Sequence, residues 1–460
     1  MQTLRRITTL IPGLDEILHG GLFEGGVYIV EGPPGVGKTT LANQLAYLRA
    51  RSGQKTVYVT MLAESHARLL QHMGTQAFFS RGAVNREVIY ISAYRELERN
   101  SLKGVLGLLR EEVTRHQATM LVVDGVVVPG DGSPLDEQVR QFVHELQSLG
   151  GMLGCMSLLL TSGTGRSINA EQTMVDGIFR LEDHPHRWRA ERRFHVRKFR
   201  GSAVERGGHT FCISDQGLRF YPRLETMPLP QPATPEEARR VLSSGIASLD
   251  AHMQSGGLRE GSSTVVYGPS GTGKTLMAMA FAAQSSTEQP GLVLGFDERG
   301  AELAAVCRSF GIGLDLQPDG GPLGFVWYGG TDVALDEIGH HLLEQVDLCG
   351  VKRLVVDGLT GLADTPAFEE RGYRFLGQLL AQLRARRVTS VFTLDPDAFA
   401  AAGGGMQSRG LITWFDNLLE LQMPPDGEDF RVAFVRKLRG TQVRQSQARL
   451  HLGARGPTLQ

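Results

Sequence analysis

Short unbroken apolar runs alternate along this chain with longer segments of mixed polarity, and the alternation comes round twice. Gly26-Val27-Tyr28-Ile29-Val30 reads as a buried strand, and Thr40 to Ala50 behind it reads as a helix. Thr56-Val57-Tyr58-Val59-Thr60, made of β-branched and aromatic residues, predicts another strand. Leu69 to Phe79 and Leu97 to His116 read as helical. Met120-Leu121-Val122-Val123-Asp124 and Cys155 to Leu160 are further apolar runs, the second ending at Thr161-Ser162. A strand buried on both faces of a parallel sheet requires such a run. The second half answers with Ser263 to Tyr267, a helical segment, Leu354-Val355-Val356-Asp357, and Thr389 to Thr393 ending at Leu394-Asp395. The pattern predicts an α/β fold present twice, each copy a mainly parallel sheet flanked by helices.

Between the copies lie Pro222, Pro228, Pro230, Pro232 and Pro235, with no helical period. Such a segment makes an extended, semi-rigid connection. The expected division is a first domain at 1–222, a proline-rich linker at 223–240 and a second domain at 241–460. A net charge of −1 gives no overall attraction to nucleic acid or to an anionic membrane. Cys155, Cys212, Cys307 and Cys349 form no C-x-x-C pair, which excludes a disulfide scaffold or zinc module and suits a reducing compartment. No apolar run is long enough to span a bilayer and no signal-like stretch opens the chain, so the expectation is a cytoplasmic protein without a membrane partner. His184-Pro185-His186 and His340-His341 read as surface histidines.

Chemistry enters at the junction of the first strand and helix. Gly32-Pro33-Pro34-Gly35-Val36-Gly37-Lys38-Thr39 fits G-x-x-x-x-G-K-[ST], the phosphate-binding loop of nucleoside triphosphatases. Gly32, Gly35 and Gly37 let bare backbone N–H groups approach phosphate oxygens, and the helix N-terminus beginning near Thr40 adds positive potential. Lys38 is expected to reach the outer phosphates and Thr39 to bind magnesium. The loop recurs as Gly268-Pro269-Ser270-Gly271-Thr272-Gly273-Lys274-Thr275, followed by Leu276. Asp124 and Asp357 close their strands at the carboxyl end, where ligands of such sheets bind, and are expected in the magnesium shell with Thr39 and Thr275.

Two more signatures are duplicated. Ile11-Pro12-Gly13-Leu14-Asp15 with Gly20-Gly21-Leu22 precedes the first loop, and Gly245-Ile246-Ala247-Ser248-Leu249-Asp250 with Gly256-Gly257-Leu258 precedes the second. Late in each half, Lys198-Phe199-Arg200-Gly201-Ser202 is matched by Lys437-Leu438-Arg439-Gly440-Thr441, the first within a basic stretch, Arg180 to Arg206, that reads as a hairpin.

Together these motifs resemble a tandem pair of RecA-like P-loop NTPase domains, and specifically the KaiC family of circadian-clock and clock-related ATPases. The resemblance implies ATP and Mg²⁺ as cofactors and a hexameric ring with ATP between subunits. It also implies ATP hydrolysis, and Ser/Thr autophosphorylation in the second domain of clock members. Lys38, Thr39 and Asp124, with Lys274, Thr275 and Asp357, match the family's loop lysine, magnesium threonine and Walker B aspartate. Lys198 and Arg200, with Lys437 and Arg439, match the basic pair that reaches a neighbour's γ-phosphate.

The chain also departs from the family pattern. Two adjacent carboxylates follow the second strand in the family, and Asp297-Glu298 supply them in the second domain as candidates to activate water. Leu62-Ala63 stand there in the first domain, and Glu64 is displaced by one position. Hydrolysis is therefore expected mainly in the second domain. The alternative reading is a clock-type autokinase with Thr413 as acceptor, Ile412 replacing its serine neighbour and Ser408 nearby. A RecA- or RadA-like DNA-dependent ATPase is disfavoured by the charge balance. Sequence ending at Gln460, soon after Leu450-His451-Leu452-Gly453, leaves out the tail by which clock members engage their activator, so a divergent or non-clock member is expected.

Overall fold

The computed structural model describes residues 5–61, 66–125, 135–162, 174–186, 189–230, 240–316, 321–329, 333–401, 412–424, 430–439 and 447–460. The chain divides into two compact units, Met1–Thr226 and Met227–Gln460, so the boundary falls inside the proline-rich segment.

The first unit is built on a nine-stranded sheet. Its strands are β1 (Val27–Glu31), β2 (Thr56–Thr60), β3 (Val88–Ser92), β4 (Met120–Asp124), β5 (Met156–Thr161), β6 (Gly177–His186), β7 (Arg189–Phe199), β8 (Gly208–Ser214) and β9 (Gly217–Tyr221). They lie in the order β3-β2-β4-β5-β1-β6-β7-β8-β9. Pairing is parallel from β3 to β6 and antiparallel from β6 to β9. Helices α1 (Lys38–Ala50), α2 (His66–Met73), α3 (Tyr94–His116) and α4 (Leu135–Leu153) complete the layers.

The period-two alternation of side chains divides the core. Tyr28, Val30, Tyr58, Val122, Leu158 and Leu160 pack on one face with Leu41 and Leu45 of α1. Val27, Ile29, Val57, Val59, Leu121, Val123 and Leu159 pack on the other, with Val105, Leu109 and Val113 of α3 and Phe142 and Leu146 of α4. Both faces are covered, which is why these strands read as unbroken apolar runs.

The second unit repeats the plan. Its strands are β10 (Ser263–Tyr267), β11 (Gly291–Gly295), β12 (Leu323–Trp327), β13 (Arg353–Asp357), β14 (Thr389–Leu394), β15 (Asn417–Gln422), β16 (Arg431–Leu438), β17 (Gln447–Gly453) and β18 (Gly456–Leu459). The order β12-β11-β13-β14-β10-β15-β16-β17-β18 is that of the first sheet, strand for strand. Helices α5 (Lys274–Ala282), α6 (Gly300–Ser309), α7 (Leu335–Cys349) and α8 (Pro366–Ala385) follow in the same sequence.

Several boundaries differ from the sequence reading. The helix after the loop starts at Lys38, because the left-handed Gly37 caps it by backbone shape, without a side-chain hydrogen bond. Helix α2 stops at Met73, so the stretch toward Phe79 is turn rather than helix. The proline-rich segment opens with a short 3₁₀ turn, Leu224–Thr226. Beyond it, the carbonyls of Met227 and Pro228 accept hydrogen bonds from Gln378 and Gln382 of α8. Proline supplies no N–H, but its carbonyl is still an acceptor, and two glutamine amides use this stretch.

An aspartate seats the central strand in each unit. The Val27 N–H donates to Asp176, which stands just before β6. In the second unit Ser263 donates to Asp416 through its N–H at 3.0 Å and its hydroxyl at 3.2 Å. Arg384 of α8 grips both Asp416 oxygens at 2.9 and 2.7 Å, and Arg439 adds a contact at 2.9 Å. Burial alone would raise the Asp416 carboxyl, but the donors from Ser263, Arg439 and Arg384 hold it below the ordinary aspartate range.

Asp416→Ala should therefore cost the second unit about 3 kcal/mol of stability. A depressed carboxyl stabilises fully above its unfolded value, about 3.9, and less as the pH falls through its folded value. Denaturant titrations should show the gap between wild type and variant narrowing below that pH. A gap independent of pH would show that the ionised carboxylate is not what holds the strand.

Candidate phosphate-binding sites

In both units the loop leaves the central strand and enters the helix through left-handed glycines. A Cβ on Gly32 would lie 2.3 Å from the Leu181 carbonyl oxygen, and one on Gly268 would lie 2.1 Å from that of Leu421. The loop thus presses on the backbone of the neighbouring strand, β6 or β15. Gly37 and Gly273 lie under Ile213 and Leu452, whose methyl groups would meet an added Cβ at 2.6 and 2.7 Å. Gly35 and Gly271, in contrast, would meet nothing within 4 Å, so that side of the loop is open.

The loop lysines are folded onto their own loops. Lys38 Nζ donates to the carbonyls of Gly32 and Pro33 at 2.7 and 2.8 Å, and Lys274 Nζ does the same with Gly268 and Pro269. Lys274 also lies 3.6 Å from Asp395, the residue that follows β14. Burial pulls both lysines below their ordinary value; Asp124 opposes the shift at Lys38, and Asp395 with Asp357 opposes it at Lys274.

Each loop threonine meets the expected aspartate. Thr39 Oγ1 donates to Asp124 Oδ2 at 3.0 Å, and Thr275 Oγ1 to Asp357 Oδ1 at 3.1 Å. A hydroxyl and a carboxylate at one point form an all-oxygen donor set that fits a hard cation such as magnesium. Each aspartate also has a second hydroxyl partner that sequence reasoning did not single out. Tyr58 OH donates to Asp124 Oδ2 at 2.7 Å, and Thr393 Oγ1 donates to Asp357 Oδ1 at 2.6 Å. Tyr58 looked like an ordinary aromatic strand residue. Burial, reinforced by the Asp124 charge, drives its phenol well above the usual range, so it remains a donor. Burial also raises Asp357, against the pull of Thr393 and Thr275.

Beside the second loop opens a cavity of about 900 Å³, lined by Lys274, Thr275, Leu276, Asp297, Glu298, Asp357, Thr393 and Asp395 among others. Glu298 is raised above the ordinary glutamate range, chiefly by burial and then by the charges of Asp357, Asp297 and Glu302. Arg431 at the start of β16 reaches the rim, with Nε 3.4 Å from the Gly271 carbonyl. Glu64, the nearest carboxylate in the first unit's sequence, lies outside the described residues, as do Leu62 and Ala63.

The basic signature sits at the end of a bulged hairpin in both units. Register shifts between Ile178 and Phe179 opposite β7, and between Leu418 and Leu419 opposite β16. A bulge re-aims the side chains that follow it, here Lys198 and Lys437. Lys437 Nζ donates to the carbonyls of Phe415 and Thr413 at 2.7 and 3.3 Å. Arg200 donates to the Met174 carbonyl at 3.2 Å, while Arg439 is held by Asp416. Burial, and then the Arg200 charge, lowers Lys198. Gly440, Thr441 and Ser408 lie outside the described residues.

A strand, a glycine-rich loop, a helix and a strand-ending aspartate, present twice on identical sheet orders, define a tandem P-loop ATPase. The chain belongs to the KaiC family: a family model described as the ATPase KaiC matches residues 7–225 and again 242–456. Among its curated relatives is the circadian clock oscillator protein KaiC of Rippkaea orientalis, 24% identical, with 100% of this chain and 89% of the relative covered. The KaiC of a Picosynechococcus species is 25% identical over 95% of this chain and 86% of its own length. The KaiC 1 of a Synechocystis species is 24% identical over the same shares. At that distance the chain is a divergent, KaiC-like ATP-binding protein. Among the described residues, no helix is long and apolar enough to cross a membrane.

The glycine contacts make a graded expectation. Gly268→Ala drives a Cβ into a backbone carbonyl and should cost about 2–3 kcal/mol. Gly271→Ala meets no atom and should cost about 1 kcal/mol of left-handed strain. Equal losses in denaturant unfolding would show that the strand contact does not decide the loop's shape.

Proposed function

We propose that the protein is a ring-forming, ATP-driven switch whose second domain hydrolyses ATP while the first mainly binds it. The observation that carries this division is the register after the second strand. Thr60 ends β2 opposite Asp124, and Gly295 ends β11 opposite Asp357, so the two ends are equivalent. Two residues on from these ends, the sequence carries Asp297-Glu298 in the second domain and Leu62-Ala63 in the first. Asp297 and Glu298 line the cavity with Asp357 and Lys274.

In this reading Lys274 exchanges the loop carbonyls of Gly268 and Pro269 for phosphate oxygens. Thr275 and Asp357 would hold magnesium, which neutralises phosphate charge when bound. Glu298, its carboxyl raised by burial and by the charges of Asp357, Asp297 and Glu302, accepts the proton of the attacking water. Lys437 and Arg439, like Lys198 and Arg200 in the first domain, act on the nucleotide of a neighbouring subunit, which couples turnover to assembly. Arg439 is supported by Asp416, a residue that can pre-orient a finger before a neighbour arrives. A homohexamer that binds ATP between its subunits follows from this reading. Autophosphorylation at Thr413 and DNA-dependent activity are its competitors.

Glu298→Gln should reduce phosphate release by about 10²- to 10⁴-fold and leave nucleotide binding intact. Glu64→Gln should change total turnover little. The opposite ranking would make the first domain the hydrolytic one and overturn the register argument. Light scattering should show a hexamer with ATP and magnesium, weakened by Lys38→Ala more than hydrolysis per assembled ring. A protein monomeric at saturating nucleotide would remove the basis for both trans-acting pairs. Label from γ-labelled ATP retained on the protein and lost in Thr413→Ala would favour the kinase. DNA binding that survives physiological salt would favour the recombinase-like reading.

A further inference from the structure

We infer that Tyr58 is a positioning residue for the first domain's magnesium-binding aspartate, and that the two domains have exchanged the strand that provides this service. The inference rests on the reading of Thr39 and Asp124 as the metal-binding pair. In the second domain, Asp357 Oδ1 accepts from Thr275 on the loop helix and from Thr393 on the adjacent strand β14. In the first domain, Asp124 Oδ2 accepts from Thr39 on the loop helix and from Tyr58 on β2. Both carboxylates are therefore held through one oxygen by two hydroxyls. The helix donor is common to the domains and the strand donor is not.

Strand register shows that the difference is reciprocal. Asp124 pairs with Leu160 of β5. Val356 pairs with Phe392, which places Thr393 beside Asp357, at the position Leu160 holds in the first domain. Tyr58 stands two residues before the end of β2, and Val293 stands two residues before the end of β11. Hydroxyl and aliphatic residues have thus changed places: tyrosine with leucine in one domain, valine with threonine in the other. A phenol is long enough to reach the carboxylate from β2, which lies on the other side of β4.

Tyr58 is built in. It is fully buried, its ring lies 5.3 Å from that of Tyr90, and Tyr90 OH donates to Asn43 at 2.6 Å. Asn43 in turn donates to the Thr39 carbonyl at 2.8 Å, which ties the first turn of α1 to the same group. Packing alone would be served equally by phenylalanine, whereas the hydroxyl fixes the plane of the Asp124 carboxylate. With Thr39 and Asp124 holding a metal, Tyr58 would keep that plane fixed, so less orientational freedom would be lost on binding.

The test uses the full chain carrying Lys274→Ala, which confines nucleotide binding to the first domain. Binding of a fluorescent ATP analogue is measured while magnesium is titrated, and again in chelator. Tyr58→Phe should raise the magnesium needed for half-maximal binding about tenfold and leave binding in chelator unchanged. Tyr58→Val should do the same, and Tyr58→Val with Leu160→Thr should recover most of the loss. Thr393→Val in a Lys38→Ala background should reproduce the effect in the second domain. An unchanged magnesium midpoint in Tyr58→Phe overturns the inference, as does an equal loss with and without magnesium, which marks a purely structural role. Absence of any nucleotide binding with Tyr58 intact would instead bring down the reading of the first loop, and this inference with it.

Discussion

The contact between the first glycine of each loop and a strand carbonyl is the constraint on which the rest depends. Gly32 against Leu181 and Gly268 against Leu421 leave no room for a side chain, so the loop can lie directly on the neighbouring strand. That seat sets the path to Gly37 and Gly273, whose left-handed backbone starts the helix. The helix start then places Thr39 and Thr275 against the aspartates of β4 and β13. A loop raised by the width of a methyl group would displace lysine and threonine together. Site geometry is in this sense inherited from sheet order, because β6 and β15 must be next to the central strand for the contact to exist.

Much of this was legible in the sequence because the responsible residues carry strong local signatures. The glycine spacing, the lysine and the apolar run ending in aspartate each have a local physical reason, and their repetition fixed the tandem plan. Less was legible where a residue's role depends on a partner distant in the chain. Tyr58 reads as a strand aromatic, and nothing local reveals that its hydroxyl meets a carboxylate on the next strand. Arg384 carries no motif that would single it out, yet it grips Asp416. The bulges before Lys198 and Lys437 leave no pattern distinguishable from ordinary hairpin alternation. Helix ends depart from the sequence pattern where backbone shape, as at Gly37, replaces a side-chain cap.

The hairpin and the aspartate behind it show how one carboxylate can hold structural and site residues together. Asp416 holds the first residue of the central strand, the end of α8 and the arginine of the basic signature. In the first unit, Asp176 receives the Val27 N–H through its side chain and the Arg200 N–H through its carbonyl. Strand origin and arginine position are therefore set from one point in each unit.

The pairs Tyr58/Val293 and Leu160/Thr393 also bear on how such duplicated chains are compared. Aligned column by column, they score as two independent mismatches, each replacing a polar group by an aliphatic one. In space they are a single compensated exchange that conserves the number of hydroxyls on the aspartate while changing the strand that bears one. At these positions, similarity between the halves is therefore understated by a measure that treats positions separately. Chimeras made by moving one strand between the halves would leave an aspartate with one donor too few or one too many. The smallest exchangeable unit at this site is the pair of strands flanking the aspartate.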